Sequence, residues 1–227
     1  MATLTFYGHS TFGIRTDDGT RLVIDPFFQD NPQYQGSLDD IEADYILITH
    51  GHYDHISDAL PLAKRTEALI IASFEISTFM ENNGAEASPQ HIGGGVHYPF
   101  GYVKMTPAHH GGQVGLPGAE GFTTNPGGFL INFTSGQRFY HAGDTGLMMD
   151  MQLLKGAVDV AVLPIGDRFT MGPEDAVRAI DFIEPATVIP CHYDTWAPIE
   201  QDPVAFAEAV GSRASVQIMK PGDSWDF

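Results

Sequence analysis

Four side chains able to bind metal fall within six positions in Thr49-His50-Gly51-His52-Tyr53-Asp54-His55, directly after the apolar run Tyr45-Ile46-Leu47-Ile48. In a chain of 227 residues with 10 His, a His-x-His-x-Asp-His pattern arises by chance in on the order of 0.002 windows, which makes coincidence a weak explanation. His50 and His52 stand two apart in an extended segment, so they point the same way and can grip one cation. Asp54 and His55, at the start of a following helix, can turn toward a second. Gly51 lets backbone approach without side-chain obstruction. The competing reading is four polar residues capping a helix and facing solvent.

Two metal ions about 3.5–4 Å apart need a bridging carboxylate and further imidazoles from other strand ends. The chain offers His109-His110-Gly111-Gly112 after a predicted strand, Gly143-Asp144-Thr145 after another, and His192 after a third. Each alone has an ordinary explanation, as a buried His bonded to backbone or an Asp in a turn. Their shared position at strand termini, where loops converge on a rigid sheet, favours a site. Asp25, before Pro26, is placed to fix the tautomer of a ligand imidazole or simply to turn the chain. His9 and His141 are candidates to line the pocket or donate to substrate, and with Asp54 they form the candidate catalytic set; the alternative is that both are structural. His91 and His97, in a Gly-rich loop, are assigned to solvent. Arg168 is a candidate to hold an anionic substrate group or to form a surface ion pair, and Cys191 reads as core filler.

The elements that must position these residues follow from hydrophobic periodicity. Predicted strands cover Leu4–Tyr7, Thr11–Arg15, Arg21–Ile24, Tyr45–Ile48, Ala68–Ala72, Tyr102–Thr106, Gly128–Phe133, Arg138–His141, Val158–Leu163, Thr187–Pro190 and Ser215–Met219. Predicted helices run from Asp54 to Arg65, from Phe74 to Asn83 with Gly84 as a stop, from Pro173 to Ile183, and from Pro203 to Val210. Pro173 suits a first helical position, with Glu174 and Asp175 favoured by the dipole. The Gly/Pro-rich stretch from Gly111 to Pro126 is long enough to suggest function. Two β-rich halves, each with helices, imply one layered α/β domain over residues 1–227, with no short repeat and no linker.

The 11 Lys+Arg against 29 Asp+Glu give a formal charge of −18, which repels phosphate backbones and anionic membranes. Nucleic acid and membrane are therefore excluded as expected partners, and a small-molecule substrate is expected, with a homo-oligomer compatible. No apolar run approaches the roughly 20 residues of a bilayer span, and the first residues lack a basic segment followed by an apolar one. The single cysteine excludes an internal disulfide and fits a reducing compartment. The expected location is cytoplasmic.

The order His50-x-His52-x-Asp54-His55, then His110, then Gly143-Asp144-Thr145, then His192 resembles the metallo-β-lactamase superfamily. Gly8-His9-Ser10, Ile24-Asp25-Pro26, Thr106-Pro107-Ala108-His109-His110, Leu163-Pro164-Ile165-Gly166, Phe169-Thr170-Met171-Gly172-Pro173 and Pro190-Cys191-His192-Tyr193 are similar to its metal-dependent hydrolase branch related to L-ascorbate-6-phosphate lactonase. The resemblance implies a four-layer αββα sandwich, with His50, His52 and His110 on one metal, Asp54, His55 and His192 on a second, and Asp144 bridging. It also selects His110 over His109, from the branch pattern Pro-Ala-x-His. This chain departs from the branch at Gly166-Asp167-Arg168, where Gly-Gly-His is usual, and at Gly111, where Ser is usual.

Two dications lower the pKa of a shared water from about 15.7 toward about 7. The expected reaction is attack of a metal-bridging hydroxide on a lactone, ester or phosphodiester of a small substrate. The N/O ligand set makes zinc the first choice, with manganese, iron or nickel also compatible. Rival readings are a phosphodiesterase or nuclease on the same fold, a non-enzymatic metal-binding protein, and a di-iron enzyme reducing oxygen or nitric oxide beside a flavin domain. Against the last stands His52, because those proteins resemble His-x-Glu-x-Asp at this point, and the chain has no spare length for a flavin module.

Overall fold

The structure is a computed structural model that describes residues 1–227. Its β-branched and aromatic runs build two seven-stranded sheets. The first is ordered β14 (Ser224–Asp226), β1 (Thr3–Gly8), β2 (Thr11–Arg15), β3 (Arg21–Ile24), β4 (Tyr45–Leu47), β5 (Leu69–Ser73) and β6 (Ala87–Gln90). The second is ordered β13 (Ser215–Val216), β12 (Thr187–Cys191), β11 (Val160–Pro164), β10 (Arg138–His141), β9 (Gly127–Phe133), β8 (Gly101–Pro107) and β7 (Gly95–Tyr98). Both are mixed: β3 through β6 and β10 through β13 run parallel, and the remaining neighbours are antiparallel.

Three separate apolar clusters show how the layers stack. Between the sheets, Leu4, Phe12, Ile24 and Leu47 meet Val103, Phe129, Phe139 and Val162 in a cluster of 21 buried residues. Helices α2 (Ala59–Thr66) and α3 (Phe74–Asn82) cover the outer face of the first sheet through a cluster of 17, and α4 (Pro173–Ile183) and α5 (Pro203–Val210) cover the second through a cluster of 19. Three cores require four layers, so the αββα expectation holds. Strands buried on both faces explain the unbroken apolar runs: Ile70 faces the helices and Ile71 the other sheet, as do Ala161 and Val162.

The single helix expected from Asp54 to Arg65 is instead two, α1 (Tyr53–Ile56) and α2, separated at Ser57 and Asp58. The break follows from Asp58, a buried side chain that accepts from the backbone N–H of Phe28 (2.6 Å) and Gln29 (3.1 Å) and from Gln29 Nε2 (2.6 Å). Those bonds tie the helix start to the loop after β3. Strands β6, β7 and β14 escaped the sequence reading because they are short edge or near-edge elements without a clear alternation, and His97 lies in β7 rather than in a loop. His91 and His97 are both exposed. The 111–126 stretch folds back on itself, with Thr124 N–H donating to the Gly112 carbonyl (2.7 Å). No helix is long and apolar enough to cross a membrane.

Candidate metal centre

Every chemically significant side chain sits where a strand ends. His9 follows β1, Asp25 follows β3, and His50, His52, Asp54 and His55 follow β4 on the entry to α1. From the second sheet come His110 after β8, Asp144 after β10 and His192 after β12. His9, Asp25 and His192 adopt left-handed backbone angles (φ 56°, 48° and 54°), a conformation that non-glycine residues hold only where surrounding contacts impose it. One such contact joins the sheets: His192 N–H donates to the His9 carbonyl at 2.8 Å.

Two groups of ligand-type atoms hold the candidate ligands, and a third, Asp25 with His50 and His55, overlaps them. His50, His52, His110 and Asp144 form one, and Asp54, His55, His192 and His9 form the other, with all atoms of each group within 4.8 Å of one another. Asp144 touches both. Its Oδ2 lies 3.0 Å from His192 Nε2, 3.4 Å from His55 Nε2, 3.4 Å from His110 Nε2 and 3.9 Å from His50 Nε2. In the first group, His52 Nδ1 lies 3.0 Å from His50 Nε2 and 3.1 Å from His110 Nε2.

A supporting layer sets which nitrogens face inward. Asp25 Oδ1 accepts from the Thr49 N–H (2.8 Å), and its Oδ2 accepts from Thr49 Oγ1 (2.7 Å) and from His55 Nδ1 (2.8 Å). Thr49 Oγ1, its hydrogen given to Asp25, accepts from His50 Nδ1 at 3.0 Å. This network places a hydrogen on Nδ1 of His50 and of His55 and turns the Nε2 of each toward the cluster. Across the centre, Thr195 Oγ1 lies 2.7 Å from His9 Nδ1, His9 Nε2 lies 2.9 Å from Asp54 Oδ2, and Gln33 Oε1 accepts from the His9 N–H at 2.6 Å.

The electrostatics of the cluster call for a cation. Burial, with the neighbouring His55, holds His50 well below the ordinary imidazole pKa, and burial likewise lowers His52 and His110. Three neutral imidazoles thus converge, and His52 Nδ1, with at most one hydrogen, cannot donate to both neighbours. Burial alone would raise Asp144, but His192 and His55 hold it well below the usual carboxylate range; Asp54 is lowered likewise, by His55 and His9 against burial. Burial opposes charge on His55, yet Asp144, Asp54 and Asp25 outweigh it and raise its proton affinity well above the ordinary value. No Lys or Arg pairs with Asp25, Asp54 or Asp144. His55 Nε2 and Asp144 Oδ1 are buried without a partner. Inward-facing imidazole nitrogens, buried anions and the orphaned Asp144 Oδ1 together fit divalent metal.

The structure therefore brings together His50, His52, Asp54, His55, His110, Asp144 and His192, with His9 against Asp54. It does not bring in His141, which is fully buried, accepts from Gly143 N–H through Nδ1 (3.1 Å) and packs on Phe12. His109 is exposed, and its N–H donates to Thr145 Oγ1 at 2.9 Å. Arg168 makes no ion pair and lies over the Phe169 ring at 5.6 Å. Gly51 has the close approach expected of it: a Cβ there would meet Val114 Cγ2 at 2.7 Å. Thr49, Thr195 and Gln33 were missed as supports. Thr49 adjoins the motif, but only folding shows its hydroxyl between Asp25 and His50.

Two face-to-face sheets between helices, with a His/Asp cluster at their strand ends, define a metallo-β-lactamase-type hydrolase. A family model for the beta-lactamase superfamily domain matches residues 20–193. The chain is 42% identical to a UPF0173 metal-dependent hydrolase of Pelotomaculum thermopropionicum over 99% of both proteins. It is 44% identical to one of Heliobacterium modesticaldum over 99% of this chain and 97% of that protein. Igni18, a metallo hydrolase from the archaeon Ignicoccus hospitalis, superposes with a TM-score of 0.89 at 35% identity, covering 100% of this chain and 99% of that one. The chain belongs to the β-lactamase superfamily, among its UPF0173 metal-dependent hydrolases.

Proposed function

We propose that this metal-dependent hydrolase works with two divalent ions, zinc as first choice, and cleaves a lactone, ester or phosphodiester of a small cytoplasmic substrate, as the resemblance to the L-ascorbate-6-phosphate lactonase branch implies. The observation that carries the reading is the position of Asp144 Oδ2, within 3.0–3.9 Å of one Nε2 from each of His192, His55, His110 and His50. A carboxylate between two imidazole sets suits a pair of cations better than a single one. His50, His52 and His110 would hold one ion, Asp54, His55 and His192 the other, with Asp144 shared. Bound divalent ions supply Lewis acidity and a water of lowered pKa near neutral pH.

The chain's own groups set up the rest. Burial and the neighbouring His192 push His9 down to about 4, so at neutral pH its imidazole is uncharged. With Thr195 on Nδ1, the Nε2–H donates to Asp54 and holds that carboxylate in one orientation. Asp54, His52 and His110 are the partly exposed members of the cluster, so substrate enters on their side. Tyr53 and Trp196, 46% and 40% exposed, flank it, with the Trp196 ring centroid 5.0 Å from that of His9. An aromatic rim and a formal charge of −18 favour a small, weakly charged substrate over nucleic acid.

Metal analysis of zinc-reconstituted protein tests this, with a panel of lactone, ester and phosphodiester substrates. About two ions per chain are expected, with hydrolysis of at least one class and loss of one ion in Asp144→Ala. Saturation at one ion, with unchanged affinity in Asp144→Ala, overturns the two-ion reading.

A further inference from the structure

A cavity of about 320 Å³ opens on the helix-covered face of the second sheet, and none of its lining residues belongs to the metal-binding groups. Lys104 and Tyr140 are both registered opposite Leu130, so these three side chains share one face across β8, β9 and β10. Met148, Met151 and Leu154, from the segment after Asp144, close the other side. The volume falls within the range of about 300–1,000 Å³ typical of small-molecule sites.

Its walls carry a polar feature that an apolar core does not explain. Thr106 and Tyr140 line the cavity, are 5% and 0% exposed, and Thr106 Oγ1 and the Tyr140 hydroxyl lack a hydrogen-bond partner. Burial raises the Tyr140 phenol pKa, with Thr106 beside it acting the other way, so at neutral pH both groups keep their hydrogens. Even if the two bonded to each other, one donor would remain unused. A buried donor left unpaired is destabilising, so an incoming acceptor would relieve it. At the mouth, Leu153 is 83% exposed, and Lys104 and Asp150 offer one charge of each sign.

We propose that this cavity is a second binding site, for a small uncharged molecule with an apolar body and one hydrogen-bond-accepting oxygen received by Thr106 and Tyr140. The opposed charges at the mouth give no preference for an ion. The methionine walls suit an irregular apolar body, because the thioether side chain adapts its shape.

Methyl NMR of the intact, metal-loaded protein labelled at methionine tests the site, with acetophenone and toluene as probes. Saturable shifts are expected at Met148 and Met151, while Met80 and Met219, buried in the other cores, stay unmoved. Acetophenone should bind roughly ten-fold tighter than toluene, the worth of one net hydrogen bond. The Thr106→Val, Tyr140→Phe double variant should bring that ratio near one while toluene still binds. No saturable shift in the wild-type protein, equal shifts at Met219, or a wild-type ratio near one overturns the proposal without reliance on any variant. A double variant that folds but keeps the ten-fold preference overturns the role of the two hydroxyls.

Discussion

His109 and His110 are chemically equal neighbours, and adjacent extended residues point to opposite sides. His110 Nε2 reaches within 3.4 Å of Asp144 Oδ2, whereas His109 is exposed. His110→Ala should therefore lower metal affinity by more than the about 10–100-fold that loss of a supporting partner costs, and His109→Ala should keep its metal and turn over within a few-fold of wild type. Metal titration and hydrolysis of the two variants check this; an empty site in His109→Ala alone would reverse the assignment. A second expectation concerns pH in metal-stripped protein. His9 takes up a proton at an ordinary imidazole pKa of 6.5 when unfolded, but only near about 4 when folded. Between those values the unfolded chain binds more protons, so stability falls as pH falls, while above 6.5 this term is fully present. The window is worth on the order of 3 kcal/mol for His9, and His50 acts in the same direction. Urea unfolding from pH 7 to 4 should show a shallower loss in His9→Gln, and an unchanged slope would mean that burial of His9 does not govern its protonation.

Among the elements, the junction between α1 and α2 decides whether Asp54 and His55 point at the cluster. The sequence shows a helical period through both, and the interruption comes from Asp58, whose partners Phe28 and Gln29 are 29–30 positions earlier. Asp58→Ala leaves the buried Phe28 N–H without an acceptor, at about 1–3 kcal/mol, and the Gln29 N–H to solvent. Unfolding measurements should show a loss of about 1–3 kcal/mol, and weaker metal binding should accompany it because the segment carrying Asp54 and His55 is freed. A stability change below about 1 kcal/mol would show that these bonds do not hold the break. The same elements explain Gly128, where a Cβ would lie 2.5 Å from the His141 carbonyl oxygen: β9 and β10 leave no space there, just before the turn that carries Asp144.

Across the whole molecule, bound metal would act as a staple. His50, His52, Asp54 and His55 leave the first sheet, and His110, Asp144 and His192 leave the second. Divalent metal held by both sets would join two layers otherwise held by the apolar core between them. A ligand present at 1,000 times its Kd stabilises by about 4 kcal/mol, and in a chain of this size about 1 kcal/mol moves Tm by roughly 2–4 °C. Stripping with chelator should then lower Tm by about 10 °C, with recovery on adding zinc. Asp144→Asn should show a much smaller chelator effect; equal drops in both proteins would mean that the metals do not bridge the sheets through Asp144.

The seven candidate ligands were legible in the sequence because metal chemistry demands particular side chains at strand ends, and strand ends are marked by local patterns: apolar runs, then Gly, His and Asp. The sandwich was legible because strands buried on both faces must be largely apolar, as in Val160–Pro164 and, after Thr187 at its start, Thr187–Cys191. Spacing offered His50 with His52 and Asp54 with His55, while the place of Asp144 between the sets was implied only by resemblance; in the fold its Oδ2 lies beside imidazoles that follow β4, β8 and β12. His9 and His141 could not be separated by sequence, since both are histidines at strand ends; both are fully buried, but folding set one against Asp54 and the other against the Gly143 N–H and Phe12. Thr49, Thr195, Gln33 and Asp58 were invisible for the same reason. Residue type and spacing are local properties and can be read along the chain, whereas a hydrogen bond between residues 24, 30 or 186 positions apart exists only once the sheets have packed.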